Sequence, residues 1–437
     1  MERNKPKNTI APLGVTANKK IHNVKIGYFL AYRQLKHASI WTTSLIVVVM
    51  MLTFLNLVVV NGILVGLIES SIQASEERYS GNVIISNLRQ KTIIENSAEI
   101  EKVLENLPNV TDVVPRVLAG GTIKADYNRL LREEETPNQA QATISGIVPS
   151  QEDKATGLSK YVIDGAYLDD NDKDGILIGA YLVNEITPVD AIGFTQLREV
   201  AVGDRLKVTV GENSKEVFIR GFLKSKIDNI DARVIMTQSE LRKLIGRSDT
   251  NVSEIAVKLV PGSTELDGVR VKEILSANGY DFDAKIQTAT EAQPKFLKDM
   301  KSLFGLLGTL MGSIGLVVAS ITVFIVIFVN TLTRRKFIGI LKGIGISSKS
   351  IEYSYIMQSA FYAIVGAALG MLVLYVFLVP FIDAHPINFP FSDGILYAPL
   401  GGTMWRVLAL FVTTIIAGYI PARMIVKKNT LDSILGR

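Results

Sequence analysis

Four long apolar stretches that carry almost no charge set the terms for this chain. Residues 45–68 and 303–333 run for 24 and 31 positions without Asp, Glu, Lys, Arg or His, and residues 353–382 run for 30 without an acid or base. A bilayer core about 30 Å thick takes about 20 helical residues, so each of these is long enough to cross it. A fourth run, 407–422, reaches that length only if Thr403, Met404, Trp405 and Arg406 join it, with Arg406 snorkelling to the interface. A buried core helix is the alternative for that segment. The 48% hydrophobic content fits a chain that lies partly in lipid. The expected fold is therefore an α-helical membrane protein with four transmembrane helices, at 44–68, 303–333, 353–382 and 403–422, plus an α+β extracytoplasmic domain at 69–300.

Charge sets the expected orientation. Residues 1–43, the 334–351 loop and the tail from 422 hold seventeen Lys/Arg against two acids, while the rest of the chain holds 30 basic and 40 acidic residues. Short basic segments stay inside and long segments cross largely regardless of charge. Both termini and the 334–351 loop are thus expected in the cytoplasm of a prokaryotic cell, with the protein multi-pass in its inner membrane. The 383–402 loop is then external and 423–437 a cytoplasmic tail. The net charge of +5 is a topology signal, and nucleic-acid binding is not indicated. The first apolar run follows a polar, basic stretch and no small-residue cleavage site follows it, which reads as a retained anchor. Zero cysteines exclude disulfides, thiolate metal sites and Cys nucleophiles.

Residues 1–20 are polar, Lys-rich and expected to be disordered. Beyond them Ile21, Val24, Tyr28, Ala31 and Leu35 recur at three- and four-residue spacing among Lys25, Arg33 and Lys36. That pattern suits an amphipathic interfacial helix, or an ordinary cytoplasmic extension of the first span. In the extracytoplasmic domain, strand–helix–strand patterns are expected at 82–88, 96–107 and 112–123, and again at 254–260, 266–277 and 282–286. Asn96 and Glu99 read as a capping pair, and Gly279 as a helix stop. An interrupted α/β part, 69–148 and 254–300, thus surrounds a β-rich insertion at 149–253, where short β runs at 176–178, 205–210 and 216–223 are punctuated by Gly203-Asp204 and Gly211.

Glycines mark the membrane helices. Gly305, Gly308, Gly312 and Gly315 recur on one face of the second span, and Gly366 and Gly370 on the third. Small residues in register let helix backbones approach closely, although glycine is frequent in such helices in any case. No catalytic chemistry has a candidate. Gly343-Ile344-Gly345-Ile346-Ser347-Ser348-Lys349-Ser350 resembles a phosphate loop, but Ser348 stands where the second glycine belongs and no buried strand precedes it. Asp170-Asn171-Asp172-Lys173-Asp174-Gly175 opens like a calcium loop, yet its twelfth position is Tyr181, so a solvated turn is favoured. His22, His37 and His385 make no metal spacing. The first three spans hold no ionisable side chain for ion coupling, so energy must arrive from another chain.

The stretch Thr333-Arg334-Arg335-Lys336-Phe337-Ile338-Gly339-Ile340-Leu341-Lys342-Gly343-Ile344-Gly345 resembles the hallmark of the FtsX-like/MacB-like ABC permease superfamily. It departs from that pattern at Phe337, commonly Glu, and at Gly343, commonly Ala. Gly418-Tyr419-Ile420-Pro421-Ala422-Arg423 and Leu431-Asp432-Ser433-Ile434-Leu435 resemble the family's ending, and the order of one span, a large external domain and three spans matches nearly throughout. The resemblance implies a second permease copy or paralogue, a cytosolic ABC ATPase that binds ATP and Mg in place of this chain, and contact with membrane lipid. An extracytoplasmic accessory protein is a further partner it allows. It implies export or extraction of a lipoprotein, peptide or hydrophobic compound. The alternative is an FtsX-like subunit that regulates an external cell-wall hydrolase without moving cargo, and a membrane-anchored structural protein is a third reading. The ATPase-coupling residues are taken as Lys336, Ile338, Ile340, Leu341, Lys342, Gly343, Ile344 and Gly345, with Ile338, Ile340, Leu341 and Ile344 as one apolar ridge. Lipid anchoring by Arg334 and Arg335 is a simpler role for the basic residues.

This topology predicts that single cysteines at Asp172 and Asp393 react with an impermeant thiol reagent in intact cells, while those at Ser39 and Ser347 are protected. Labelling at Ser347 or protection at Asp172 would reverse the orientation.

Overall fold

A computed structural model describes residues 13–127, 136–188, 195–389 and 393–427. Most of the Lys-rich stretch expected to be disordered, and the Leu431 to Leu435 motif, lie outside the described residues. The chain divides into two compact units, one of Met1–Leu67, Met300–Ile387 and Gly394–Arg437, the other of Ile68–Asp299 and Asn388–Asp393.

Among the described residues four helices are long and apolar enough to cross a membrane: Ile40–Ser80, Lys295–Thr333, Ser348–Ala384 and Leu400–Val426. All outlast their apolar runs, because good helix formers continue the pattern at both ends. The first three end or start with Ser, Glu, Gln or Lys, which the lipid-length argument does not count. The third passes through a π turn at Val373–Leu378 just before Pro380, whose missing N–H leaves a carbonyl one turn back without its usual donor. In the membrane unit Ile46, Met50, Phe54 and Val58 form a four-residue stripe on the first span. They pack with Val323 and Ile327 of the second span, Tyr355 and Tyr362 of the third, and Leu410 and Ala417 of the fourth.

Among its described residues the α/β unit holds ten strands: β1 Val83–Asn87, β2 Val110–Lys124, β3 Gln139–Ile147, β4 Val162–Gly165, β5 Gly175–Gly179, β6 Arg205–Val210, β7 Asn213–Leu223, β8 Arg233–Thr237, β9 Glu254–Leu259 and β10 Ala284–Thr288. The order β10-β1-β9-β2 is antiparallel throughout. Each strand–helix–strand unit therefore has a strand of the other unit between its own two, a split β-α-β arrangement. Helices Ser97–Glu105 and Glu265–Ala277 pack on this sheet through Ile100, Leu104, Val271 and Leu275. The remaining pairings, β2-β3-β8-β5-β7-β6 and back to β2, close a six-stranded barrel. Closure needs Gly121, since a Cβ there would lie 2.7 Å from the Thr209 carbonyl oxygen of β6.

Several expectations are corrected. The division of the domain was placed at 148/149, but pairing changes partner inside β2: Arg116 is the last residue opposite β9, at Glu254, and Val117 the first opposite β3, at Gly146. Both the second half of β2 and all of β3 belong to the barrel. Asn96 does not cap its helix. Its φ of 58° is left-handed, which turns its side chain away, and its Nδ2 donates to Asp283 at 3.1 Å. The capping boxes stand at Thr264/Asp267 and Thr288/Glu291. The last strand starts at Ala284 rather than 282, because Tyr280–Phe282 form a 3-10 turn.

Where β2 changes partner, Arg116 is buried among charges. It donates to both Glu152 oxygens at 2.7 Å and 2.7 Å, to Glu254 Oε1 at 2.7 Å and to the Tyr79 carbonyl at 2.9 Å. The Tyr79 hydroxyl donates to Glu254 Oε2 at 2.5 Å and accepts from Arg233 at 2.6 Å. Burial opposes the Glu254 carboxylate, but the Arg233 and Arg116 guanidiniums overcome it and hold its pKa below the usual 4.5. Such a depressed group contributes stability in full above its unfolded pKa, and that contribution is lost as pH falls through the folded value.

Arg116→Leu strands two buried carboxylates and should cost about 3–5 kcal/mol, whereas Arg116→Leu with Glu152→Leu and Glu254→Leu should cost less. Thermal melts of the purified chain test both. Wild type should also lose stability on acidification below pH 4.5 more steeply than the triple variant. Equal acid sensitivity would show that the buried cluster does not govern the transition.

Candidate functional site

The segment between the second and third spans, expected as a loop, is a helix from Arg335 to Gly343. Its residues follow helical period, so its apolar side chains divide between two faces. Ile338 and Leu341, 2% and 7% exposed, point inward and join the core of the membrane unit with Val426 and Ile351. Ile340 and Ile344, 53% and 72% exposed, point outward together with Phe337. The expected single ridge of Ile338, Ile340, Leu341 and Ile344 is therefore corrected to Phe337, Ile340 and Ile344. Phe337, noted in the sequence only as a departure from pattern, completes it. Its i, i+3, i+7 spacing was the available signal.

The inward face is fastened. Lys342 Nζ donates to the Val426 carbonyl at 3.0 Å, placing a cation at the C-terminal end of the fourth-span helix. Lys336 is exposed beside the ridge. Gly345, with φ of 94°, supplies the left-handed turn that ends the helix, a conformation costly for other residues. A side chain at Gly343 would meet nothing within 4 Å. Ser347 then caps the third span, its Oγ accepting from the Ser350 N–H at 3.2 Å.

The glycine stripes lie against the first span of the same chain. A Cβ on Gly308 would fall 2.9 Å from the Asn61 Cα, one on Gly312 3.5 Å from Leu57, and one on Gly315 2.9 Å from Asn56 Oδ1. On the third span, Gly366 and Gly370 would each clash at 2.4 Å, with Met50 and Phe54. Gly305 has open space around it. The close helix approach expected of the second-span glycines is made within the chain by Gly308, Gly312 and Gly315, and not by Gly305.

Sequence reading missed the polar packing of the N-terminal helix, Leu13–Lys36. Its buried stripe is Asn23, Gly27, Ala31 and Gln34; of the expected apolar pattern Ala31 is buried, Leu35 half-buried, and Val24 and Tyr28 exposed. Asn23 Oδ1 accepts from Ser347 Oγ at 2.9 Å and Ser350 Oγ at 3.2 Å, and Gln34 Oε1 accepts from Gln358. The signal was Ser347, Ser350, Ser354 and Gln358 at three- and four-residue spacing, a polar stripe running into an apolar span.

Comparison with known proteins places this geometry. The family described as FtsX-like permease C-terminal matches residues 309–430, which include the two-faced helix and the three spans around it. An uncharacterised ABC transporter permease of Methanocaldococcus jannaschii is 25% identical over 62% of this chain and 65% of its own length. The macrolide export ATP-binding/permease protein MacB 1 of Yersinia pestis is 25% identical over 44% of this chain and 28% of its own. Residues 309–430 are thus similar to the FtsX-like permease C-terminal family, and the chain as a whole resembles FtsX/MacB-like ABC permeases. It spans less than two thirds of the length of either relative. The crystal structure of the periplasmic region of MacB from Actinobacillus actinomycetemcomitans aligns with 48% of the permease and 90% of that region, at 14% identity and a TM-score of 0.33.

Opposite faces of the permease's short helix should respond differently to the same change. Leu341→Asp places a carboxylate in an apolar core and should destabilise the protein by more than about 3 kcal/mol. Ile344→Asp should leave the thermal midpoint within experimental error. Equal destabilisation in detergent-solubilised protein would refute the two-faced assignment.

Proposed function

We propose that this permease couples ATP hydrolysis by a separate cytosolic ATPase to movement of its α/β unit, for export or extraction of a lipoprotein, peptide or hydrophobic compound. The supporting observation is the outward ridge of Phe337, Ile340 and Ile344 on a short basic helix whose other face is locked into the span bundle. An apolar ridge of this kind suits a groove on a partner protein, and burying each side chain there contributes about 2 kcal/mol. Because Ile338 and Leu341 are packed with residues of the third and fourth spans, force on the ridge passes to both.

In this reading the short basic segments face the cytoplasm and residues 69–300 lie outside the cytoplasmic membrane. ATP and Mg are bound by the partner chain. The name of the Yersinia relative joins ATP-binding and permease parts in one protein, which supports pairing this permease with such an ATPase. Pairing with a second permease copy or paralogue rests on the family resemblance. Lys336 and Lys342 act differently here: Lys336 borders the docking ridge, while Lys342 holds the helix to Val426.

The test is affinity purification from the native host with quantification of the co-purified ABC ATPase. Ile340→Asp with Ile344→Asp should remove the ATPase at least tenfold while the permease keeps its wild-type melting point. If that variant retains its ATPase at wild-type stoichiometry, the docking assignment fails. Stimulation of the intact complex's ATPase by extracted lipoprotein or hydrophobic peptide supports cargo movement. Co-purification of a wall hydrolase without such stimulation supports the regulatory alternative.

A further inference from the structure

The N-terminal helix Leu13–Lys36 has three distinct stripes over its last four turns. One, of Asn23, Gly27, Ala31 and Gln34, is buried within the membrane unit. A second, of Val24, Tyr28, Phe29 and Tyr32, is apolar and exposed. A third, of Lys25, Arg33 and Lys36, is basic, exposed and borders the second. The helix carries no acid anywhere along its length. Two of its three faces are thus unpartnered among the described residues, and both have one sign of charge or none.

We propose that this exposed double face is a docking surface for anionic lipid headgroups, and that the docked helix fixes the start of the third span. Tyr and Phe side chains are at home at headgroup depth, where ring and backbone meet both apolar and wet surroundings. Bordering Lys and Arg side chains lay their stems along the apolar boundary and deliver charge to phosphates. Arg33 already lies over the Phe29 ring, at 6.0 Å, an arrangement that keeps its guanidinium at the edge of the aromatic stripe. Each basic residue near an anionic surface strengthens docking about fivefold, so three of them distinguish anionic from zwitterionic lipid by about a hundredfold. A protein partner would have to be both acidic and open to lipid, which the aromatic stripe does not favour.

The buried stripe gives the docked helix its consequence. Asn23 accepts hydrogen bonds from both Ser347 and Ser350, the N-cap and first turn of the third span. A Cβ on Gly27 would lie 2.7 Å from the Tyr353 Cβ, so the two helices touch backbone to backbone there. Gln34 and Gln358 bond three turns further along. These contacts hold the helix on the segment immediately after Gly345. Lipid docking therefore bears on the turn that ends the two-faced helix, whether or not that helix docks an ATPase.

The absence of cysteine makes the test direct. The full-length chain carrying Tyr32→Cys, or separately Lys349→Cys, is labelled with an environment-sensitive fluorophore. It is then reconstituted into vesicles of phosphatidylcholine alone or mixed with phosphatidylglycerol. Iodide quenching at position 32 should fall severalfold with phosphatidylglycerol, and high salt or Lys25→Gln with Arg33→Gln and Lys36→Gln should abolish the change. Emission at position 349 should shift with phosphatidylglycerol in an otherwise unaltered chain and not in Asn23→Leu with Gln34→Leu, whose position-32 response persists. Equal quenching in both lipids would overturn the headgroup assignment, leaving only general apolar contact. A lipid-insensitive signal at 349, or one that survives Asn23→Leu with Gln34→Leu, would overturn the link to the third span. Neither readout requires the ATPase, so failure here is separate from failure of the docking ridge.

Discussion

Arg116 is taken out of water at the residue where β2 leaves one lobe of the α/β unit and enters the other. A guanidinium in that position is tolerated only if its donors are well used, and four of its five N–H groups donate to Glu152, Glu254 and the Tyr79 carbonyl. Each partner comes from a different crossing of the chain. Tyr79 ends the turn that leads into β1, Glu152 starts the helix after the barrel strand β3, and Glu254 opens β9 on its return to the sheet. Arg233, at the start of β8, closes the set through the Tyr79 hydroxyl. A set of apolar side chains would fill the same space at lower desolvation cost, but would accept several lobe angles. The fork of Arg116 accepts fewer, because its bidentate contact with Glu152 fails when that carboxylate rotates.

The membrane unit obtains its definition by other means. Lipid tails solvate Leu as well as a neighbouring helix does, so apolar matching alone specifies little. Close approach does more. Gly308, Gly366 and Gly370 admit the first span to distances that any side chain would forbid, and Gly418 does the same for Ser359 of the third span. Polar pairs then add direction: Gln34 with Gln358, and Asn23 with Ser347 and Ser350. Each joins buried amides that would be costly to leave unpaired away from water. Small residues set how near the helices come, and amides set their register.

Features carried by a single segment were legible, and those carried by pairing at a distance were not. The four spans follow from local hydropathy, and their helices merely run further than the apolar text. The interrupted α/β part follows from a repeated strand–helix–strand pattern. Barrel closure does not, because β3 pairs β8 across some ninety residues and nothing local marks the partner change at Arg116. Arg116 itself reads as an ordinary polar residue in a strand. Asn96 misled for a related reason. Its type suits a cap, but its backbone is left-handed and its side chain donates to Asp283 instead. At the candidate site the expected face was wrong. Ile338 and Leu341 were grouped with Ile340 and Ile344 because a loop has no faces, and helical period separates them at once.

That separation bears on what the segment can do. A helix that offered all four residues to a partner would have nothing left to hold it, and pushing on it would only displace it. Here Ile338 and Leu341 pack in the core and Lys342 binds the end of the fourth span, while Gly345 allows the chain to turn directly into the Ser347 cap of the third. Displacing the outward ridge must move those attachments too, because close-packed interiors transmit displacement rather than absorb it. The inward packing that takes Leu341 off the outward ridge is also what, in the proposed docking, would let that ridge transmit force.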